Sequence, residues 1–200
     1  MRLYTDGRPW PILVAEFDDF EAVYSRLDNV VIYATPGVVF SIAAARGGAF
    51  WRLLKRQGLL FLKATGPAGE LVIYRSKPMH DIRVVEVDGS YLVRQSAHLA
   101  HTEGLSFEAK WRGLFIGKIK YGEAVMTALR GRGLLAVTAY GTIFEQTLDA
   151  GDLIDNKALV AADADCKFKI TTLGAASLLT GQWWYLRSEK KCSVLLSSWR

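Results

Sequence analysis

The chain has 200 residues, half of them apolar and 22% charged, which fits a folded domain with a sizeable core and excludes a disordered tail. The formal net charge is +5, which is compatible with an anionic partner. The basic residues are scattered, however, and form no dense run, so an ordinary solvated surface is the preferred explanation of the charge.

Targeting signals and cysteine usage bound the cellular context. The segment Met1–Gly7 lacks the apolar core of a signal peptide, and no apolar run reaches the length of a transmembrane helix. Cys166 and Cys192 could pair, but each lies in an alternating apolar segment, as a buried thiol of a reducing cytosol does. Scarce Asn and Gln with plentiful Arg favour a thermophilic source. We therefore expect a cytoplasmic protein.

Most of the chain has the pattern of short β-strands separated by turn residues, and few segments support a helix. Met1–Trp10 is predicted to be irregular, because Asp6-Gly7 and Arg8-Pro9 favour turns. Asp88-Gly89 predicts a hairpin between two later strands. Strands are predicted at 11–15, 29–34, 38–45, 70–75, 82–87 and 91–94, with a turn or strand connection at 17–24 and a loop at 46–55.

A short apolar strand led by glycine occurs three times in the chain, at 58–62, 133–137 and, more faintly, 181–186. Alternating segments precede the three copies at 39–42, 106–109 and 167–170, and the last two are preceded in turn by 97–100 and 158–161. Repeated units of this kind share a core, because one alone could not bury its apolar face. The sequence therefore predicts an all-β fold of tandem β-sandwich units: one compact domain, 1–200, with about three repeats at 30–95, 96–157 and 158–200.

These motifs resemble the family named for altered inheritance of mitochondria protein 24, from about Val38 to Ser198. The most specific pieces are 58–62 with Thr65-Gly66-Pro67, and Asp155-Asn156-Lys157 before the apolar run 158–161. Ala68 stands where the family usually has a second glycine, which concerns the turn only. The resemblance implies units like the tryptophan RNA-binding attenuation protein, grouped with double-stranded β-helices, and a ring-like homo-oligomer with a trimer favoured. It implies no catalytic residues; eukaryotic members are mitochondrial and linked to inner-membrane organisation.

The candidate metal ligands are His98, His101 and Glu103, which His80 could join only through a tertiary contact. Two histidines three residues apart share a face on a helix but point to opposite faces of a strand. The repeat places this stretch in a strand, where only His101 and Glu103 would lie together. We therefore expect surface or edge histidines and no metal site.

Basic residues beside aromatic ones form the most suggestive surface pattern. Such groups stack nucleic-acid bases, sit at a lipid interface, or form a core or subunit contact with basic neighbours outside; the last interpretation is preferred. Alternation puts Trp183 and Tyr185 on one face and Trp184 on the other, so one tryptophan needs a second buried surface, which a subunit contact would supply. The possible interface residues are Lys110, Trp111, Arg112, Lys118, Lys120, Tyr121, Trp183, Trp184 and Arg187.

No catalytic or cofactor signature is present in the sequence: no serine lies in a Gly-x-Ser-x-Gly elbow, and no glycine-rich loop opens a helix. The first hypothesis is therefore a non-enzymatic homo-oligomer without a cofactor, acting as a scaffold or binding module at a membrane or on a protein partner. The alternatives are a cupin-like metal-dependent enzyme using the three histidines and Glu103, and a ring-type single-stranded RNA binder, the latter disfavoured.

Overall fold

The computed structural model describes residues 1–7, 10–44, 60–75, 77–108, 126–172 and 185–198. The regular structure of these residues is all β-strand apart from one 3-10 turn at Gln95–Ala97, so the predicted all-β class is confirmed. Within the same ranges no helix is long and apolar enough to cross a membrane. The strands are β1 (Arg2–Asp6), β2 (Ile12–Glu16), β3 (Ala22–Arg26), β4 (Val30–Ala34), β5 (Val39–Ala44), β6 (Leu60–Thr65), β7 (Leu71–Arg75), β8 (His80–Arg94), β9 (His98–Thr102), β10 (Leu105–Glu108), β11 (Met126–Tyr140), β12 (Ile143–Leu148), β13 (Leu153–Asp155), β14 (Leu159–Asp163), β15 (Phe168–Thr171), β16 (Tyr185–Ser188) and β17 (Cys192–Ser197).

The described strands form three antiparallel sheets. The first sheet has the order β1-β2-β7-β4, and the third sheet has the order β13-β16-β15. The large sheet has the order β12-β17-β14-β8-β11-β9-β3-β6-β5, and β10 joins it by pairing with β11. Consequently, among the described strands, β4 and β5, which follow each other in the chain, are edge strands of two different sheets.

The described parts of the three predicted glycine-led segments lie in strands with two antiparallel neighbours, but the neighbours are not equivalent. Residues 60–62 lie between β3 and β5, and 185–186 lie between β13 and β15, so in both cases one neighbour is the alternating strand that precedes the segment in the sequence. Residues 133–137 lie instead between β8 and β9, because β10 pairs with the earlier part of β11, 128–131. The segments that connect these pairs, 45–59, 109–125 and 173–184, lie outside the described residues, as does the loop predicted at 46–55.

The N-terminal prediction is wrong for Arg2–Asp6, which forms β1 and pairs with β2 along its whole length. Leu3 is buried while its strand neighbours are exposed, so a single inward side chain and full backbone pairing hold the strand in place. The predicted turn at Asp6-Gly7 marks the end of the strand: Gly7 has φ 85°, and its N–H donates to Asp6 Oδ1 at 2.7 Å. The turn signal was correct, but it terminates an edge strand.

The hairpin predicted at Asp88-Gly89 is also wrong, because both residues lie inside the 15-residue strand β8. β8 pairs with β11 from Met126↔Arg94 to Tyr140↔His80 without interruption. Pairing with this distant strand satisfies the backbone over the full length, which a local two-residue turn could not do. Gly89 faces Gly131, and both have positive φ, 106° and 126°, so the glycines mark an irregularity within a continuous ribbon.

The β8–β11 ribbon contributes side chains to all three apolar cores. Its alternate residues, such as Val87 and Leu135, enter a central core formed by strands of the large sheet. On its other face, Ile82 and Ala136 enter a core shared with the first sheet. Toward the opposite end of the ribbon, Leu92 and Ala128 enter a core shared with the third sheet. The small sheets therefore cover the two ends of one long ribbon.

Candidate functional site

The basic–aromatic residues predicted as an interface lie almost wholly outside the described part of the chain. Lys110, Trp111, Arg112, Lys118, Lys120, Tyr121, Trp183 and Trp184 belong to the segments that connect the strand pairs. Arg187 is described: it lies on β16, paired with Leu153 and Lys169, and is exposed. The prediction for the other eight residues stays a prediction.

His98 and His101 lie together in the central part of the large sheet, contrary to the expectation of opposite faces. His98 Nε2 and His101 Nδ1 are 2.9 Å apart, so one nitrogen donates a hydrogen bond to the other. Both side chains are buried, with exposed fractions of 2% and 4%, and neither is a surface or edge histidine. The predicted environment of both residues is therefore corrected.

A β-bulge in β9 brings the two rings together. Leu135 pairs with His101 and Ala136 with Ala100, but Val137 pairs with His98, so Leu99 is an extra residue in β9. Leu99 and Ala100 then both face the core under the first sheet, and the histidines on either side both face the other way. Periodicity predicts opposite faces for positions three apart in a regular strand, and a bulge removes that regularity.

Aromatic rings enclose the histidine pair. Tyr24 of β3 stacks on His101 with ring centroids 5.2 Å apart and an interplanar angle of 19°. The ring of Phe61 on β6 packs in a T-shaped geometry against both imidazoles, with ring centroids 5.5 Å from that of His98 and 5.3 Å from that of His101. The pair is thus clamped between β9 and the two strands that lead to the edge strand β5.

Burial keeps both histidines uncharged. It lowers the pKa of His101 to about 3. Burial, followed by the repulsion that a second proton on the pair and the nearby Arg26 would add, holds the pKa of His98 well below its usual range. A cation in this apolar setting would lack hydration, so the neutral, mutually hydrogen-bonded pair is the stable form near neutral pH.

The predicted metal-ligand set is not assembled in the described residues. Glu103 is exposed just beyond β9, and His80 lies at the end of β8, with Nδ1 3.5 Å from Thr138 Oγ1 and its ring 5.7 Å from the Tyr140 ring centroid. Among the described residues no three His, Cys, Asp or Glu side chains converge as a metal site would need. The histidine pair alone provides two nitrogens that already satisfy each other.

A second feature, missed at the sequence level, is an apolar surface on the edge strands β4 and β5. Val39 and Ile42 have exposed fractions of 64% and 69%, although both are large apolar residues. Residues 35–38 alone separate the two strands, so the end of β4 and the start of β5 are close in space. This "β4–β5 surface" consists of Val30, Ile32, Tyr33, Val39, Phe40 and Ile42.

The β4–β5 surface lacks the charges that usually protect an edge strand. The whole segment 29–45 contains no Asp, Glu, Lys or Arg. Strands at the other ends of the three sheets all carry at least one: Arg2 and Asp6 on β1, Glu145 on β12, Asp155 on β13 and Lys169 on β15. Charged side chains on edges prevent pairing with other chains, so their absence from β4 and β5 alone among these ends points to a covered surface.

The uncharged edge strands β4 and β5 differ in the regularity of their pairing. β4 has a bulge: Val31 pairs with Tyr74 and Tyr33 with Ile73, which leaves Ile32 as the extra residue. β5 pairs with β6 in an unbroken register from Val39↔Thr65 to Ala44↔Leu60. The outer edge of β5 is therefore straight enough to accept another strand, while the bulge on β4 turns two neighbouring apolar side chains outward.

Together these features define a class: an all-β protein of stacked antiparallel sheets, with a bulge-made histidine pair inside and an apolar edge outside. Residues 4–198 match the family model described as mitochondrial biogenesis AIM24, and the chain belongs to this family, as the sequence motifs predicted. No curated protein matches it. An X-ray crystal structure of a protein from Streptococcus pyogenes is similar, with a TM-score of 0.75 and 19% identity, covering 100% of this chain and 94% of that one. At that identity the likeness shows the fold alone.

Proposed function

We propose that this chain is a non-catalytic β-sandwich protein that assembles with copies of itself through the β4–β5 surface and serves as a scaffold or binding module. The observation that carries the proposal is the regular, uncharged outer edge of β5, which exposes Val39, Phe40 and Ile42. Large exposed apolar groups concentrated in one place mark an interaction site on a soluble domain.

A protein strand satisfies this surface better than a lipid surface does. The outer edge of β5 presents backbone N–H and C=O groups as well as apolar side chains, and hydrocarbon offers neither donors nor acceptors. A further strand supplies both the hydrogen bonds and the apolar cover. A second copy of this chain always carries a strand of matching chemistry, and it adds no charge to the contact, since 29–45 is uncharged.

The presence of two different uncharged edge strands, β4 and β5, favours a closed ring over a twofold dimer. An isologous dimer needs only one edge, because the same strand meets itself across the axis. In a ring, β5 of one copy meets β4 of the next, so both edges are used. The two edges do not set the number of copies in the ring, and the trimer that the family resemblance favours is the preferred assembly.

Phe40 and Phe144 provide a matched test. Both are phenylalanines with exposed fractions of 40%, on edge strands at opposite ends of the large sheet. Phe40→Lys is expected to weaken self-association by about 30-fold or more, because a buried interface aromatic typically contributes at least ~2 kcal/mol. Phe144→Lys is expected to leave the mass unchanged. Sedimentation equilibrium over a micromolar concentration series measures both.

Three results would count against this proposal. A wild-type chain that stays monomeric throughout the series contradicts self-association. Equal loss of mass in both variants contradicts the assignment to the β4–β5 surface, provided that circular dichroism shows both folded. Binding of a monomeric wild type to phospholipid vesicles, lost in Phe40→Lys, assigns the surface to a membrane.

A further inference from the structure

The two cysteines of the chain lie in one core, against the same backbone segment. Cys166 and Cys192 are both buried in the apolar core shared by the large sheet and the third sheet. The Cys166 thiol donates to the carbonyl oxygen of Ser193, the residue after Cys192, at 3.5 Å. Burial raises the pKa of Cys166, and a hydrogen bond with the Cys192 thiol raises it further. The two sulfur atoms are therefore direct neighbours.

Local structure fixes this proximity. β14 and β17 are paired, with Ala162 opposite Val194, so the end of β14 lies beside the beginning of β17. A turn follows β14, in which the Cys166 N–H donates to Asp163 O at 3.0 Å. Asp163 Oδ2 also accepts from the Ser193 N–H at 3.3 Å, which ties the turn to β17. Backbone pairing, rather than the thiols themselves, brings the cysteines together.

We propose that Cys166 and Cys192 form an intramolecular disulfide when the chain meets a peroxide or a small-molecule disulfide. With hydrogen peroxide, one thiolate attacks a peroxide oxygen, giving a sulfenic acid and, after proton uptake, one water. The second thiol then attacks the sulfenic sulfur and releases a second water. Overall the two thiols lose two protons and two electrons, and one peroxide is reduced to two waters.

The disulfide is expected to form slowly. Once formed, it stabilises the folded chain by cross-linking two of its segments. The thiolate is the nucleophile, and burial disfavours it, so oxidation of the folded protein is slow at neutral pH and faster in alkaline solution. Once formed, the bond links the turn after β14 to β17 and closes a loop over 167–191. That loop contains β15 and β16, two strands of the third sheet, so the bond restricts their separation in the unfolded chain.

Intact-mass spectrometry of the wild-type chain tests the proposal directly. After exposure to oxidised glutathione or hydrogen peroxide, the protein is expected to lose two hydrogen atoms in mass, and peptide mapping is expected to join Cys166 to Cys192. The melting temperature should rise by roughly 5–10 °C and return to its reduced value with dithiothreitol. Because the chain has only two cysteines, no other internal pairing can give this result.

Cys166→Ser and Cys192→Ser are the matched variants. Each is expected to lose both the mass change and the reductant-dependent melting shift, and to take up glutathione or oxygen on the remaining thiol. Wild-type protein that yields only glutathionylated or sulfinic products under the same treatment overturns the proposal. The mass measurement on wild type decides the question even if a serine variant does not fold.

Discussion

At the scale of single residues, the extra residue Leu99 in β9 determines that two histidine side chains are buried together. As the extra residue of β9, it turns His98 and His101 toward the same side, where Tyr24 and Phe61 enclose them. The cost of burying two imidazoles is reduced by the hydrogen bond between them, but only while both are neutral. The stability of the protein is therefore coupled to pH at this site.

Acidification is expected to destabilise the protein below about pH 6.5. Histidines of the unfolded chain take up protons near that pH. Folded His101 resists protonation until its pKa of about 3. Between these values the unfolded state binds more protons, so the free energy of unfolding falls by about 1.4 kcal/mol per pH unit for each such histidine. Urea unfolding at a series of pH values measures the slope.

His101→Phe isolates the contribution of one ring. The variant keeps an aromatic group against Tyr24 but removes one titrating site, so its slope should be about 1.4 kcal/mol per pH unit shallower than wild type in the same window. Its absolute stability will also change, but the slope is independent of that change. An unaltered slope would show that His101 does not titrate on unfolding as proposed.

Among the elements, the β8–β11 ribbon requires glycine at position 131, where its backbone closely approaches that of Gly104. A Cβ added to Gly131 would lie 2.0 Å from the backbone oxygen of Gly104, while a Cβ added to Gly89, directly opposite, would meet nothing within 4 Å. Both positions have positive φ, so both disfavour side chains for conformational reasons. Only at Gly131 does a neighbouring backbone atom also leave no room for a side chain.

Gly131→Ala and Gly89→Ala are therefore expected to differ strongly. Gly89→Ala should cost about 1–2 kcal/mol, the penalty of a left-handed conformation alone. Gly131→Ala should cost more, by at least ~2 kcal/mol, because backbone must shift where β10 meets β11. Chemical denaturation of both variants checks the difference, and equal losses of stability would contradict the close backbone approach.

The elements also show what sequence could and could not predict. Most strands were found because their alternation or β-branched runs are local signals, as in β4 and β7. The hairpin prediction at Asp88-Gly89 was wrong because pairing of β8 with β11, a strand far along the chain, outweighs the local turn preference of these two residues. The bulge at Leu99 has no signature in periodicity, so the histidine pair was missed. The edge position of β5 depends on strand order, which is non-local, although the uncharged segment 29–45 was a visible signal.

At the scale of the whole molecule, the three cores are joined by one pair of strands. β8 and β11 place residues in all three, so neither small sheet can detach without exposing part of the ribbon. The edge strands β4 and β5, in contrast, each pair with a neighbour on one side only within the part of the chain that the structure describes. This arrangement predicts a gradient of local stability from the ribbon to these edges.

Hydrogen exchange should reveal that gradient. Amides of β8 and β11 are expected to exchange most slowly, because their opening requires disruption of all three cores. Amides of β5 should exchange more slowly in the wild-type assembly than in the Phe40→Lys monomer. Mass spectrometry of peptic fragments at matched concentrations measures both comparisons. Exchange of β8 as fast as that of β4 would contradict the central role of the ribbon.

The uncharged segment 29–45 has a consequence during synthesis. β4 and β5 emerge from the ribosome before β6 and β7, which pair with them, and under the proposed assembly their outer edges stay uncovered until another copy binds. Uncovered strands of this composition associate indiscriminately when chains are crowded. Assembly that begins between neighbouring nascent chains would shorten this exposure. We expect overproduction of a variant that cannot assemble, yet keeps the same apolar segment, to yield insoluble material.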